Sequence, residues 1–362
     1  MEEILTEKIQ KSKDSSCPNC GATLVYEPEK GALFCDSCGT VKKIEKLPCE
    51  PKIDYGENEK AKATAKYKEW VNENKVIKCK SCGANVVLNK LEYSKTCPYC
   101  GSAFVVESGE LPTMAPQGII PFYFSKQQAS DLYRKGMRKK FFLPNAFKKA
   151  VPVENIKGIY IPSFSFDANS YSSYSGVLER TETRYVNGKT QTYTTTFRIS
   201  GDKNLTHKDV MVESSSLITQ RQFDELKPFN ASKIVKFDNG YIMGYSVENY
   251  EQGVDLCKRV ADEIMKEQIR SAILSGYSYS GVRSLNVDTT FEKQKYGYYV
   301  LPVYKNEYQY KNKKYTTFMN GESGKVGGGV PRSPIKITFF VLFLILVAVG
   351  FVALFMYLNG LE

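Results

Sequence analysis

The most apolar stretch of the chain runs from Ile337 to Leu358, 22 residues without a charge. As a helix rising 1.5 Å per residue it reaches about 33 Å, enough to cross a hydrocarbon core of about 30 Å. The pattern predicts a transmembrane helix over 335–358. Elsewhere the apolar positions are periodic. From Gln252 to Ile273 they recur at three- and four-residue spacing, which predicts an amphipathic helix with Cys257, Val260, Ala261, Ile264 and Met265 on its apolar face. Ser125–Lys140 has helical composition, and Pro144-Asn145-Ala146-Phe147 is placed to start a second short helix. Aromatic and β-branched runs predict strands at Gly158–Phe166 and Gly297–Tyr304. Asn187-Gly188 signals a two-residue hairpin turn inside Arg184–Thr194, and Tyr308–Tyr310 with Tyr315–Phe318 suggests another hairpin. The fragments Gly158-Ile-Tyr-Ile-Pro162 and Gly297-Tyr-Tyr-Val-Leu-Pro302 resemble each other weakly, as two related halves would. This mixture predicts one central α+β domain over 119–319. The run from Asn320 to Pro334 is rich in Gly and Pro and reads as a flexible tether over 320–334.

Near the N-terminus the pattern breaks into pieces too small to hold a core. Thr23–Tyr26 and Ala32–Phe34 flank a Pro28–Gly31 turn, and Asn85–Leu88 with Leu91–Tyr93 repeats the arrangement; both read as short hairpins. Such units bury too little apolar surface to fold unaided. Cysteines supply the staple. Cys17, Cys20, Cys35 and Cys38 form one quartet and Cys79, Cys82, Cys97 and Cys100 a second, each with 14 residues between its Cys-x-x-Cys knuckles, the second shifted from the first by 62 positions. Two intervening residues let both thiolates of a knuckle reach one ion, and four soft donors suit tetrahedral Zn²⁺. The glycines after the knuckles, Gly21, Gly39, Gly83 and Gly101, fit the tight turn. Two zinc modules follow, over 15–45 and 77–107, joined by a charged helical linker over 46–76, with two structural zinc ions as cofactors. Disulfides are the competing use of these cysteines, but they belong to secreted chains. Residues Met1 to Asp14 are charged and offer no apolar core of a secretory signal. Cross-pairing between quartets also satisfies the count; the equal offsets favour self-contained modules.

Charge separates the halves. Residues 1–120 carry 17 lysines against 17 acidic residues, so the formal excess of +11 lies downstream. Two zinc-tetrathiolate centres would take the first half to about −4. A nucleic-acid reader displays a basic stripe there, and this half has none. The positive charge gathers instead at Lys126, Arg134, Lys135, Arg138, Lys139, Lys140, Lys148 and Lys149, interleaved with Tyr133, Phe141, Phe142 and Phe147 and opposed by Asp131. Such a segment suits first a solvated helix face over an aromatic core, then contact with anionic lipid, and thirdly a phosphate backbone. Lys325, Arg332 and Lys336 precede the apolar run, and only Asn359–Glu362 follow it. The expectation is a single-pass, tail-anchored cell-membrane protein with its N-terminal body in the cytoplasm. The catalytic inventory is thin. His207 is the single histidine and sits in the polar run Asn204–Asp209, which reads as an exposed loop. Gly324-Lys325 lacks the flanking residues of a phosphate loop, and both quartets would be closed sites without an open coordination position. The chain is expected to be non-catalytic.

The Cys-Pro-x-Cys-Gly knuckles at Cys17 and Cys97 resemble those of the zinc-ribbon superfamily named after transcription factor IIB. With Lys157–Pro162, the segment from Tyr315 through Asn320 to Lys325, Pro331 and the apolar helix, the chain is similar to a group of bacterial membrane proteins carrying such ribbons. That resemblance implies a membrane adaptor or scaffold that recruits protein partners, of the stomatin/flotillin-like or phage-shock type, in envelope stress. The alternative is a membrane-tethered nucleic-acid binder using residues 126–149. Oligomeric state is not readable from the sequence.

Overall fold

The structure, a computed structural model, describes residues 17–55, 74–78, 85–89, 94–96, 103–105, 114–149, 151–153, 155–186, 188–358 and 360. It is mixed α+β, as expected, and divides into two compact units. One comprises 1–121, 159–220 and 230–301; the other comprises 122–158, 221–229 and 302–362.

The first unit is built on a sheet whose strands run in the order Val235–Lys236, Gly118–Ile119, Gly281–Tyr310, Lys157–Val186, Ser246–Glu248, Asn85–Asn89 and Asn74–Lys78. The strand Gly281–Tyr310 belongs to this unit as far as Leu301. Lys157–Val186 continues into a long antiparallel partner, Lys189–Glu213, with Val186 opposite Lys189 and Gly188 at φ 75° in the turn. The predicted two-residue hairpin therefore lies within a much longer one. Its root, Ile159–Phe164, is buried on both faces, because an unbroken apolar run has no polar face to offer water. Its tip is open, with Tyr185 71% exposed.

The helix Val254–Leu274 covers this hairpin, burying Ile269 and Ile273 with Leu178 and Ile199. Cys257 is fully buried on the same helix, as its position on the apolar face predicts. His207 departs from expectation. It lies in the strand Lys189–Glu213 and is 4% exposed, its Nδ1 2.7 Å from Gln268 Oε1 and its Nε2 2.9 Å from Ser170 Oγ. The Gln268 oxygen can only accept, so Nδ1 carries a proton and donates to it. The polar run around His207 is the outer face of a strand whose other positions point inward.

The two similar fragments occupy comparable places. Ile159 and Tyr160 pair in parallel with Ser246 and Val247, and Tyr299 and Val300 pair in parallel with Gly118 and Ile119. Each fragment therefore begins with a short parallel partner and runs on into a long antiparallel hairpin.

The linker expected as a helix over 46–76 is extended where it is described. Pro48 bridges to Val235, and Ile53–Asp54 pairs with Tyr296 and Lys295. Lys52 Nζ reaches Asp167 at 2.5 Å and Asp209 at 2.7 Å, tying this stretch to the sheet. Pairing of this kind gives the backbone partners that a helix would otherwise provide.

The second unit packs the helices Lys126–Lys139 and Asn145–Lys149 on a hairpin made by the end of the long strand, Pro302–Tyr310, and Lys313–Asn320. Ser125 caps the first helix through a capping box with Gln128. Tyr133 Oη lies 2.5 Å from Thr317 Oγ1, and Phe147 packs against Tyr308 and Tyr310 with ring centroids 5.1 and 5.2 Å apart. Lys311 and Asn312 take positive φ at the turn, which lets two residues close the hairpin.

The run expected as a tether over 320–334 is largely folded. Asn320 is fully buried. Its side chain donates to the Leu226 and Pro228 carbonyls at 3.1 Å and accepts from the Glu322 and Ser323 amides at 2.8 and 3.1 Å. Val326–Gly328 then adds a strand beside Thr317–Met319. Gly321 is required at its position, since a Cβ would stand 2.6 Å from the Phe122 ring. Glycine here serves close packing rather than looseness.

Candidate metal centre

The first cysteine module is a three-stranded sheet in which Val25–Glu27 pairs with Ala32–Phe34, and that strand with Val41–Lys43. The turn between the first two strands is the predicted one, with Gly31 at φ 58°. At each knuckle the chain folds back tightly. Gly21 N–H donates to Cys17 C=O at 2.8 Å with Gly21 at φ 74°, and Gly39 N–H donates to Cys35 C=O at 2.9 Å with Gly39 at φ 76°. A β-carbon disfavours that left-handed backbone, so each glycine is placed by need.

These turns converge four sulfurs. The Sγ atoms of Cys17, Cys20, Cys35 and Cys38 all lie within 4.8 Å of one another. Cys17 and Cys38 are 3.4 Å apart, and Cys20 and Cys35 are 3.5 Å apart. A disulfide needs about 2.05 Å. Four thiolates about 2.3 Å from a central ion would form a tetrahedron with edges of about 3.8 Å, which the cluster nearly matches. The donor set fits a metal ion held by four protein ligands.

The acid–base properties point the same way. Burial works to raise the Cys17 thiol, but the Asn19 and Cys20 amides and the Thr40 and Cys38 side chains bring it down to about 6. The Thr40 hydroxyl, 3.1 Å from Cys38 Sγ, lowers Cys38 as well. Cys20 moves the other way: the Ala22 amide pulls it down, yet the sulfurs of Cys38, Cys35 and Cys17 push it up to about 12. Four sulfurs this close cannot all be anionic without a cation among them. Thr40, fixed by Asn19 Nδ2 at 2.8 Å, is a supporting residue that spacing alone did not identify. The polar residue directly after the Cys38-Gly39 knuckle was its signal.

This module does not stand free. Tyr26 N–H donates to Met243 C=O at 2.9 Å, and the Tyr26 ring meets Tyr241 edge-on at 5.4 Å. A Cβ on Gly244, at φ 85°, would touch Val25, and one on Gly240 would touch Ile44. Cys17 and Cys35 are buried while Cys20 and Cys38 are exposed, so one edge of the centre faces water.

The second quartet, Cys79, Cys82, Cys97 and Cys100, lies outside the described residues, but strands around it are described. Ser94–Thr96 pairs with Ala103–Val105 so that Ser94 faces Val105 and Thr96 faces Ala103. Shifted by 62 positions, this is the register of Ala32 with Lys43 and Phe34 with Val41. The second strand of the expected hairpin between Asn85–Leu88 and Leu91–Tyr93 lies outside the described residues. Asn85–Asn89 pairs with Asn74–Lys78, and Val86 and Val87 pair with Glu248 and Val247.

The eight basic residues are divided by the fold. Lys126, Lys135, Arg138, Lys139 and Lys149 are exposed, and Arg134, Lys140 and Lys148 are half-buried. Arg134 pairs with Asp131 at 3.3 Å. Burial lowers the Lys140 pKa, and Glu225 partly offsets this, so Lys140 turns inward. The buried face of the helix holds Ala129, Ser130, Tyr133 and Met137. The helix Pro334–Leu358 is long and apolar enough to cross a membrane, and its span is unburied.

No family model matches the chain, and no solved structure matches it. The chain is 30% identical over 331 residues, 89% of its length, to the uncharacterized protein YdjG of Bacillus subtilis (strain 168), of which it covers 91%.

Proposed function

The chain belongs to the same family as YdjG of Bacillus subtilis, and we propose that it is a non-catalytic, membrane-anchored zinc adaptor. The observation that carries this reading is the coexistence of a closed four-sulfur cluster and an unburied apolar helix in one chain. A closed tetrathiolate has no open position for a substrate, so its ion serves folding. Zinc suits the site because its filled d-shell accepts tetrahedral sulfur without preference for another geometry. The second quartet holds a second zinc; its support is the strand register repeated at a shift of 62 positions. The pair belongs to the zinc-ribbon class. Thiolates and reducing conditions go together, and Arg332 and Lys336 flank the near end of the helix, so the body faces the cytoplasm.

In this reading the helix holds the assembly at the bilayer, and the modules present docking surfaces to protein partners there. Stomatin/flotillin-like or phage-shock-type membrane proteins are the partner class that the ribbon resemblance implies. Purified protein should contain two equivalents of zinc by elemental analysis, and Cys35→Ser should contain one. Removal of residues 335–362 should move the protein from the membrane to the soluble fraction. A gentle-detergent pull-down of the intact chain, compared with Cys35→Ser, tests recruitment. Metal-free purified protein, or partners unchanged by loss of the centre, would overturn the proposal.

A further inference from the structure

The base of the apolar helix is locked to the segment that follows the basic helix. Lys336 Nζ donates to Leu143 C=O at 2.9 Å, to Phe141 C=O at 3.2 Å and to Asn145 Oδ1 at 2.7 Å. Ser333 N–H donates to Phe142 C=O at 2.8 Å. One turn further on, Phe340 meets the Phe142 ring edge-on at 5.4 Å and the Phe141 ring at 6.3 Å. Lys336 is thereby held by three oxygen acceptors, and the two phenylalanines are level with the uncharged part of the helix. Phe141 is nevertheless 62% exposed. A large apolar ring left open beside a candidate membrane span is in the position of an interfacial anchor.

Cations flank these segments in the sequence. Arg138, Lys139, Lys149 and Arg332 are exposed, and among the described residues none of them enters an ion pair. Between Asp131 and Glu154 the sequence contains no acidic residue. By contrast, Lys126 begins the basic helix, about 20 Å along its axis from Lys139.

We propose that Phe141 and the cations Arg138, Lys139, Lys149 and Arg332 form a collar that binds anionic phospholipid headgroups around the emerging helix. This rests on the membrane-anchor reading and deepens it: the second unit is seated on the leaflet by the Lys336 lock. The phenylalanine enters the headgroup boundary while the cations meet the phosphodiester charges around it. Lys126, at the far end of the basic helix, lies outside the collar.

The test uses the full chain in nanodiscs of mixed phosphatidylcholine and phosphatidylglycerol, with one of the two lipids brominated in turn. Trp70→Phe removes the native indole, and Phe141→Trp or Phe351→Trp places the reporter. Phe351→Trp should be quenched equally by both lipids. Phe141→Trp should be quenched several-fold more by brominated phosphatidylglycerol, and each cation removed should lower that preference at low salt. Arg138→Gln with Lys139→Gln should abolish the preference, whereas Lys126→Gln should leave it intact. Quenching at position 351 but not at 141, or equal quenching at 141 by both lipids, would overturn the collar and leave the anchor standing. An equal loss from Lys126→Gln would also overturn it. Absence of quenching at 351 would overturn the anchor reading, and the collar with it. Loss of the lipid preference on adding short duplex DNA would assign the cations to nucleic acid instead.

Discussion

The two cysteine modules share a repeat and, where both are described, a strand register, yet they are held by different means. The first leans on the chain around Tyr241 through Tyr26, Val25 and Ile44, with one backbone bond from Tyr26 to Met243. The repeat instead lends a strand to the large sheet, with Val86 and Val87 paired to Glu248 and Val247. Side-chain docking depends on a few rings and methyl groups, whereas a shared sheet depends on a ladder. Duplicated sequence has therefore produced one appended module and one integrated strand.

The largest test breaks the first module alone. Cys35→Ser should cost it a structural metal site, for which apparent binding free energies run to about 10–16 kcal/mol. Hydrogen exchange across 22–43 should rise to the unprotected limit while the amides of 85–89 keep their protection. Next, Tyr26→Ala should weaken docking by about 3 kcal/mol, as truncation of a buried aromatic does. The expected signature is faster exchange at the Tyr26 and Met243 contact with metal content unchanged.

The seam of the repeat is sensitive to pH. Glu248, fully buried, accepts from the Ser216 amide at 2.7 Å and from the Ser215 and Ser216 hydroxyls. Burial raises its carboxyl to about 7, against the pull of those bonds. An unfolded chain releases this proton near 4.5 and the folded chain holds it to about 7. The folded form thus binds more protons across that window, so stability falls as pH rises from about 4.5 to about 7 and is level above. Glu248→Gln should flatten this dependence and stabilise the protein above pH 7 by roughly 3 kcal/mol, read from denaturant midpoints. Protection at Val86 and Val87 should follow the same curve, and the first module should not. The smallest effect is expected from Thr40→Ala. It removes the hydroxyl beside Cys38 and should weaken metal binding about 10- to 100-fold, measured by competition with a chelator.

What was legible beforehand was local. Cys17, Cys20, Cys35 and Cys38 converge because a two-residue spacing and a following glycine bring sulfurs together within one turn, whatever surrounds them. The helices at Val254–Leu274 and Pro334–Leu358 followed from periodicity and length, and the turn after Val186 from its dipeptide. What only the tertiary structure decided was where distant segments meet. Asn320 turned an apparent tether into a buried junction by bonding to Leu226 and Pro228, nearly a hundred positions away. His207 became interior because Ser170 and Gln268 came to it. Lys336, which reads as an ordinary flanking charge, became a lock on Phe141 and Leu143. Backbone geometry acts over a few residues and is written in their order. Burial and partner choice depend on which surfaces exclude water together, and no single stretch of this chain specifies that alone.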